Sequence, residues 1–417
     1  MTMKPDCDPA NGAPRFSVCS SLVMFCLLVG AGGCGEANSP QVDGSMSFHD
    51  WDSAGIRVVE TSGNGWEALM PWEVGSAPEL ELGRIDGGGP TQFHRIRGLT
   101  VVSGDRLVVV DAGSREIRWF DRAGQHLLTM GGEGDGPGEF NNPLLVPQYE
   151  GDSLLVFDTS ARRFTWVAED GSGYRMQRTP ENRQLTAGAA SAAGGSKVLF
   201  RSGSVDCILE ELCESSLFMR WVDLSEGTSD TIVAFPRWSA RRANREGIPH
   251  ILPGPFDPVG VTAVDAEGPV VGGRSELEFR RFDAAGDLVG VFRIDAPMRE
   301  VDDDAIERAI APYSDWNFDA DVVRRIFGEM DLPDAMPAFQ SLVVDQLGWY
   351  WAERFRLDDA DPWMWVVFDP EGKAQGMIEM PEGLEVHEIG EDYILGRWVD
   401  ELGVEFVQRY GLRRNEG

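Results

Sequence analysis

The chain has 417 residues, of which 42% are hydrophobic and 10% aromatic, with 13 Trp and a formal net charge of −32. That much apolar material excludes intrinsic disorder, and so acidic a surface repels nucleic acid and anionic lipid headgroups. Length alone does not divide the chain, because repeated sheet architectures exceed the usual domain size as single units.

Residues 1–33 hold a polar start with Lys4 and Arg15, an apolar run over 16–29 that is too short to span a bilayer, and then Ala31-Gly32-Gly33-Cys34. This segment resembles a bacterial lipoprotein signal peptide, in which a small residue precedes a cysteine that is acylated and becomes the first residue of the mature chain. Gly33 and Cys34 fit that pattern, and Ala31 departs from it, a branched aliphatic residue being usual there. The resemblance implies lipidation at Cys34 and an address in the cell envelope, periplasmic or outer-membrane associated, with the acyl chains as the membrane contact. An ordinary secretory leader with Cys34 incidental is the other reading, and it too takes the chain out of the cytoplasm. Residues 34–54 are small and polar and read as a flexible tether.

Beyond residue 54 the chain repeats itself. Five times an apolar strand ends in an aromatic or β-branched residue followed within a few positions by glycine, anchored at Phe120, Val167, Trp221, Phe282 and Phe368, spaced 47, 54, 61 and 86 apart. Unequal spacing around a recurring strand-turn-strand unit predicts a β-propeller with loop insertions. Ahead of the repeat, Ile56-Arg57-Val58-Val59-Glu60 reads as an edge strand and Glu79-Leu80-Glu81-Leu82-Gly83 as a second orphan. At least one of them is expected to complete the final blade.

The first full unit runs from Gly98 through Val110-Asp111 and Ile117-Arg118-Trp119-Phe120 to Met130-Gly131, four strands joined by hairpin turns, and is followed by Gly132-Glu133-Gly134-Asp135-Gly136-Pro137-Gly138-Glu139-Phe140 and Pro143. This unit resembles an NHL repeat, and the chain is similar to the six-bladed β-propeller lipoproteins of uncharacterised function found in some bacterial phyla. The match is strongest over 94–171 and 260–295. Glu116 departs from it, because the pattern usually has Arg before the aliphatic residue, as Arg163 stands before Phe164 in the second unit. The remaining blades are expected at about 144–180, 185–236, 258–295, 338–380 and 384–412, within a six-bladed propeller over 55–413. Asp302-Asp303-Asp304 and the apolar residues Ile306, Ile310, Val322, Val323, Ile326 and Phe327 have helical period, predicting a two-helix insertion over about 301–331.

Cys207 and Cys213 are the two cysteines beyond Cys34, and an even pair outside the cytoplasm reads as a disulfide. Five His occur: His49, His94, His126, His250 and His387. Propeller lactonases and amidating lyases, by resemblance, place metal ligands at the channel mouth, and here only Asp111, Asp158 and His94 offer themselves. The glycine-rich loop and Leu357-Asp358-Asp359-Ala360-Asp361-Pro362 leave calcium open as an ion, although the first reads better as an inter-blade connection and Asp302 to Asp304 as a helix cap. Two basic groups stand out as candidate ligand contacts, His94 with Arg95 and Arg97, and Arg237, Arg241, Arg242 and Arg245 beside Trp238. Arginine with an aromatic neighbour suits carboxylate, sulfate or glycan recognition. The expected function is a binding or protein-interaction module with an envelope protein or glycan as partner. A metal-dependent hydrolase or lyase of the lactonase type is the alternative, and a structural subunit showing an apolar patch on its helices a third.

Overall fold

The computed structural model describes residues 45–415 apart from 86–87, 147–152, 180–189, 194–196, 207–211, 235–237, 246–247, 257–259, 273–275 and 315–317; side chains at 190–193, 201–217, 238–240, 242–249, 251, 253 and 314 are also not described. Its strands form six antiparallel blades. Blade 1 comprises Ile96–Val102, Arg106–Asp111, Glu116–Phe120 and His126–Gly131; blade 2 comprises Pro143–Val146, Ser153–Asp158, Arg163–Ala168 and Tyr174–Arg178. Blade 3 is Ala190–Ala193, Lys197–Asp206, Leu212–Asp223 and Thr228–Ala234, and blade 4 is Thr262–Val264, Pro269–Gly272, Glu278–Phe282 and Leu288–Asp295. Blade 5 is Phe339–Val344, Tyr350–Arg354, Met364–Phe368 and Ala374–Glu379. Blade 6 takes Glu385–Ile389, Tyr393–Val399 and Glu405–Arg413 from the C-terminal part of the chain, and its fourth strand, Leu80–Leu82, from far upstream.

The first strand of each blade packs against the first strands of both neighbouring blades, and the contacts close into a ring. That ring surrounds the propeller axis. Because strands alternate in direction, the end at which the first strands begin also carries the second-to-third-strand turns and the links between blades. We call it the entry face.

The hairpins at the opposite end explain the sequence repeat. In Asp121, Asp283 and Asp369 the side-chain Oδ1 accepts from the backbone N–H four residues on, at 2.8 to 2.9 Å. The glycine three residues on donates its own N–H to the Asp carbonyl at 2.9 Å in each case. Its φ of +79° to +92° is costly for any residue with a Cβ. The same device recurs at Asp345 to Gly348, at that end, and at Asp400 to Gly403, a turn on the entry face; the aromatic-to-glycine pattern singled out neither.

Leu80–Leu82 completes blade 6, as expected of one orphan. The other orphan is not an edge strand. Ile56–Gly63 lies parallel to Leu288–Asp295 of blade 4, with Val59 opposite Phe292, and Met46–Ser53 pairs antiparallel on its far side. Part of the expected tether is therefore strand. Val59 is fully buried, the buried Thr61 Oγ1 accepts from Ala374 N of blade 5 at 3.0 Å, and Glu60 pairs with Arg293 at 2.6 Å. These contacts hold the hairpin against blade 4 rather than at the seam.

Two helices, α1 (Asp303–Ile310) and α2 (Ala320–Gly328), occupy the predicted insertion. Asp302 caps the first, its side chain accepting from Ala305 N, which bears out the cap reading. Between blades 3 and 4 the chain forms a hairpin, Trp238–Arg245 with Ile248–Pro253, that pairs with the start of the third strand of blade 3. Leu252 of this hairpin packs with Ile310, Val323 and Phe327, so the helices turn their apolar sides inward and among the described residues offer no exposed apolar patch.

Candidate functional site

The polar residues predicted at the entry face divide by how completely they are bonded. Asp111 and Asp158 end the second strands of blades 1 and 2 and have no exposed surface. Asp111 accepts from the backbone N–H of His94, Gly113 and Ser114. Asp158 accepts from Asn141 at 2.8 Å, Asn142 at 3.2 Å, Ser160 at 3.1 Å and Ala161 at 2.9 Å. These carboxylates spend their acceptor capacity holding their own turns together.

An arginine accompanies each. Arg163 donates to the carbonyls of Asp135 and Glu139 in the link entering blade 2, and lies 3.9 Å from Asp158. In blade 1 the arginine stands two residues later than the repeat pattern puts it, yet Arg118 reaches the equivalent acceptors, Pro90 O at 3.1 Å and Gln92 O at 2.7 Å, and lies 3.5 Å from Asp111. Glu116, the departure from the NHL-like pattern, is bonded by that same guanidinium at 2.7 Å.

The glycine-rich loop closes on itself: Gly136 N donates to Glu139 Oε2 at 2.8 Å, and Asn141 Nδ2 to Asp135 Oδ1 at 2.7 Å. The Leu357–Pro362 acids are likewise engaged by arginine. Arg308 of α1 bonds Asp358 at 2.8 Å and Asp361 at 2.6 Å, and holds the Asp358 carboxyl down at about 2, from an ordinary 3.8. Among the described residues no three His, Cys, Asp or Glu side chains converge as a metal-ligand set.

Of the basic candidates, Arg95 bonds Ala112 O at 3.2 Å and Asn142 Oδ1 at 3.0 Å, tying blade 1 to blade 2, and Arg241 donates to Glu329 O at the end of α2 at 2.7 Å. Arg97 is half-buried on the first strand of blade 1, and His94 is exposed beside it. Arg237 and the side chains of Arg242 and Arg245 lie outside the described set, as do Cys34, Cys207 and the Cys213 side chain.

A cluster that the sequence did not disclose spans blades 5 and 6 on the entry face. Glu353 is 8% exposed, accepts from Gln340 Nε2 at 2.7 Å, and has Arg356 Nε at 3.5 Å. Burial pushes its carboxyl up, and the nearby charge of Glu385 adds to the effect. On blade 6, Arg397 bonds both Glu385 and Glu405, the latter at 2.7 Å, and Glu405 accepts from Ile96 N across the closing seam at 2.6 Å. His387 lies between them, its side chain 18% exposed and its Nε2 3.7 Å from Glu385 Oε1. Burial holds this imidazole below its ordinary value, favouring the neutral ring. His387 Nε2, Arg356 Nε and Arg397 Nε are buried without a hydrogen-bond partner. The only sequence signal was the acid–His alternation of Glu385 to Glu388, and the partners that give it meaning lie in other strands.

Between blades 6 and 1 the same face opens into a cleft of about 820 Å³ lined by, among others, Arg84, Phe93, His94, Ser114, Arg118 and His126. Of the expected ligand contacts that are described, His94 alone lines it; Arg95, Arg97 and Arg241 do not.

No family model and no curated protein matches the sequence. Solved structures similar to the chain include a Bacteroides fragilis protein described as exported (11% identity, 86% of this chain and 100% of that one, TM-score 0.45). A duf4221-family protein from Bacteroides vulgatus shows 11% identity over 82% of this chain and 99% of its own, with a TM-score of 0.44. A catalytically inactive virginiamycin B lyase from Staphylococcus aureus shows 10% identity over 89% and 100%, with a TM-score of 0.37. Likenesses this distant carry no argument about function, and the propeller stands on its own sheet topology.

Proposed function

We propose that the chain is a lipid-anchored, extracytoplasmic recognition propeller that binds its ligand on the entry face. The observation that supports this reading is the cluster across blades 5 and 6, where His387, Arg356 and Arg397 each keep a buried nitrogen without a hydrogen bond. Buried polar atoms are nearly always paired, so a group of unpaired ones beside a channel mouth suits a ligand that completes them. The leader-like segment ending at Cys34 supports the anchor, and no described helix is long and apolar enough to cross a membrane.

The test uses the mature chain on a glycan array and in cross-linking to solubilised envelope, wild type beside His387→Gln and Asp170→Asn, the latter in a turn at the far end of blade 2. A ligand kept by Asp170→Asn and lost by His387→Gln supports the reading. Equal binding by all three places recognition elsewhere. Metabolic palmitate labelling that disappears in Cys34→Ala tests the anchor separately.

A further inference from the structure

We propose that the cleft between blades 6 and 1 is a binding site for a small organic anion, a carboxylate carried on an apolar body. The inference rests on the recognition reading and names a ligand class for a second part of the same face. A volume of about 820 Å³ falls in the range of sites that enclose small organic ligands.

The charge balance of the walls points to an anion. Among the described residues the lining contains two carboxylates, Asp111 and Glu116, and two arginines, Arg84 and Arg118, a formal charge of zero in a chain of −32. Asp111, Glu116 and Arg118 are committed to one another and to backbone groups: Arg118 lies 3.5 Å from Asp111, bonds Glu116 at 2.7 Å, and donates to two carbonyls of the entering link. Arg84 is exposed and has no bond to a described residue. It is therefore, among the described lining residues, the one full charge left available, and it is positive. A planar guanidinium with free donors matches a carboxylate in two-point geometry.

The neutral donors agree with that polarity. Ser114 Oγ is buried without a partner, and the His94 ring stands exposed at the cleft with only its backbone engaged. The same lining carries apolar surface: Ile85, which is 51% exposed, Pro90 and Val404. The cleft thus offers a charged donor together with a place for a hydrocarbon or aryl body.

The test is calorimetric titration of the mature chain with benzoate, benzyl alcohol and benzylammonium. Benzoate should bind in the millimolar range or tighter, with the alcohol and the ammonium each at least about tenfold weaker, which is about 1.4 kcal/mol. Arg84→Glu, at an exposed position that tolerates charge reversal, should lower benzoate affinity by a similar factor, and Ser114→Ala should lower it less. Circular dichroism melts of both variants establish that they are folded. Absence of benzoate binding, binding equal to that of benzyl alcohol, or binding indifferent to Arg84→Glu overturns the inference. Loss of it would leave the recognition reading standing wherever His387→Gln still abolishes binding of a glycan or envelope protein.

Discussion

Blades 1 and 2 and blades 5 and 6 present equivalent strand ends to the same face, and they treat their polar side chains differently. In the first pair, Asp111 and Asp158 saturate backbone N–H groups of their own turns, and Arg118 and Arg163 fasten the link that enters each blade. In the second pair, Arg397 joins Glu385 and Glu405 within blade 6, Glu353 bonds Gln340 within blade 5, and buried nitrogens are left over on His387, Arg356 and Arg397, as one also is on Arg163 of blade 2. A polar group recurring in neighbouring blades with the same backbone partners is part of the scaffold. Polar groups that occur once, pair with side chains and remain incompletely bonded are where recognition should be sought.

The sharpest way to break the comparison is to remove a scaffold carboxylate. Asp158→Ala leaves four backbone donors and the Arg163 charge without their acceptor, and should lower stability by about 3–5 kcal/mol, read as a shift in urea midpoint. A loss below 1 kcal/mol, on the same rough scale, would mean that the turn does not depend on it. Glu405 belongs to both classes, since it bonds Arg397 and also Ile96 N across the seam. Glu405→Ala should cost less, about 2–3 kcal/mol, and speed hydrogen exchange in Ile96–Val102. His387→Gln removes a ring whose Nε2 bonds nothing, so stability should fall by about 1 kcal/mol or less while ligand capture is lost. A stability loss as large as that of Asp158→Ala would make His387 scaffold.

Titration gives two carboxyls of blade 5 opposite signs. Arg308 depresses the Asp358 pKa to about 2 from 3.8, so its contribution is present above the ordinary carboxylate range and is lost as pH falls through that interval. Burial raises the Glu353 pKa above 4.5, so its contribution is complete below that value and is lost as pH rises through the folded pKa. Urea midpoints between pH 2 and 7 should therefore lose part of their acid slope in Asp358→Asn. Glu353→Gln should gain relative to wild type toward neutral pH; slopes identical to wild type in both variants would show that neither group is shifted. The smallest effect is expected from calcium. With Asp358 and Asp361 held by Arg308, replacing chelator with calcium should leave the melting temperature unchanged, and a rise would show a cation competing with that arginine.

The blade hairpins, the helix caps and the two-helix insertion were legible because each depends on residues within about one turn of one another, such as Asp283 with Asp287 or Asp302 with Ala305. The same local logic led to the count of six blades and to the expectation that one of two upstream strands closes the last, a place that Leu80–Leu82 takes. What the linear order could not specify was partnership over distance. Ile56–Gly63 carries an apolar alternation that suits any open blade, and only the packing of Val59 and Thr61 against blades 4 and 5 selects its place. Glu405 meets Ile96 because closing the ring brings blades 6 and 1 together, and Arg397 meets Glu385 because two strands of blade 6 pair side by side. The sequence by itself determined the repeating scaffold, whose bonds are short-range and backbone-directed. Tertiary structure alone decided which charges are neutralised and which nitrogens remain unpaired, because those depend on side chains brought together from separate strands and, at Glu405 and Ile96, from separate blades.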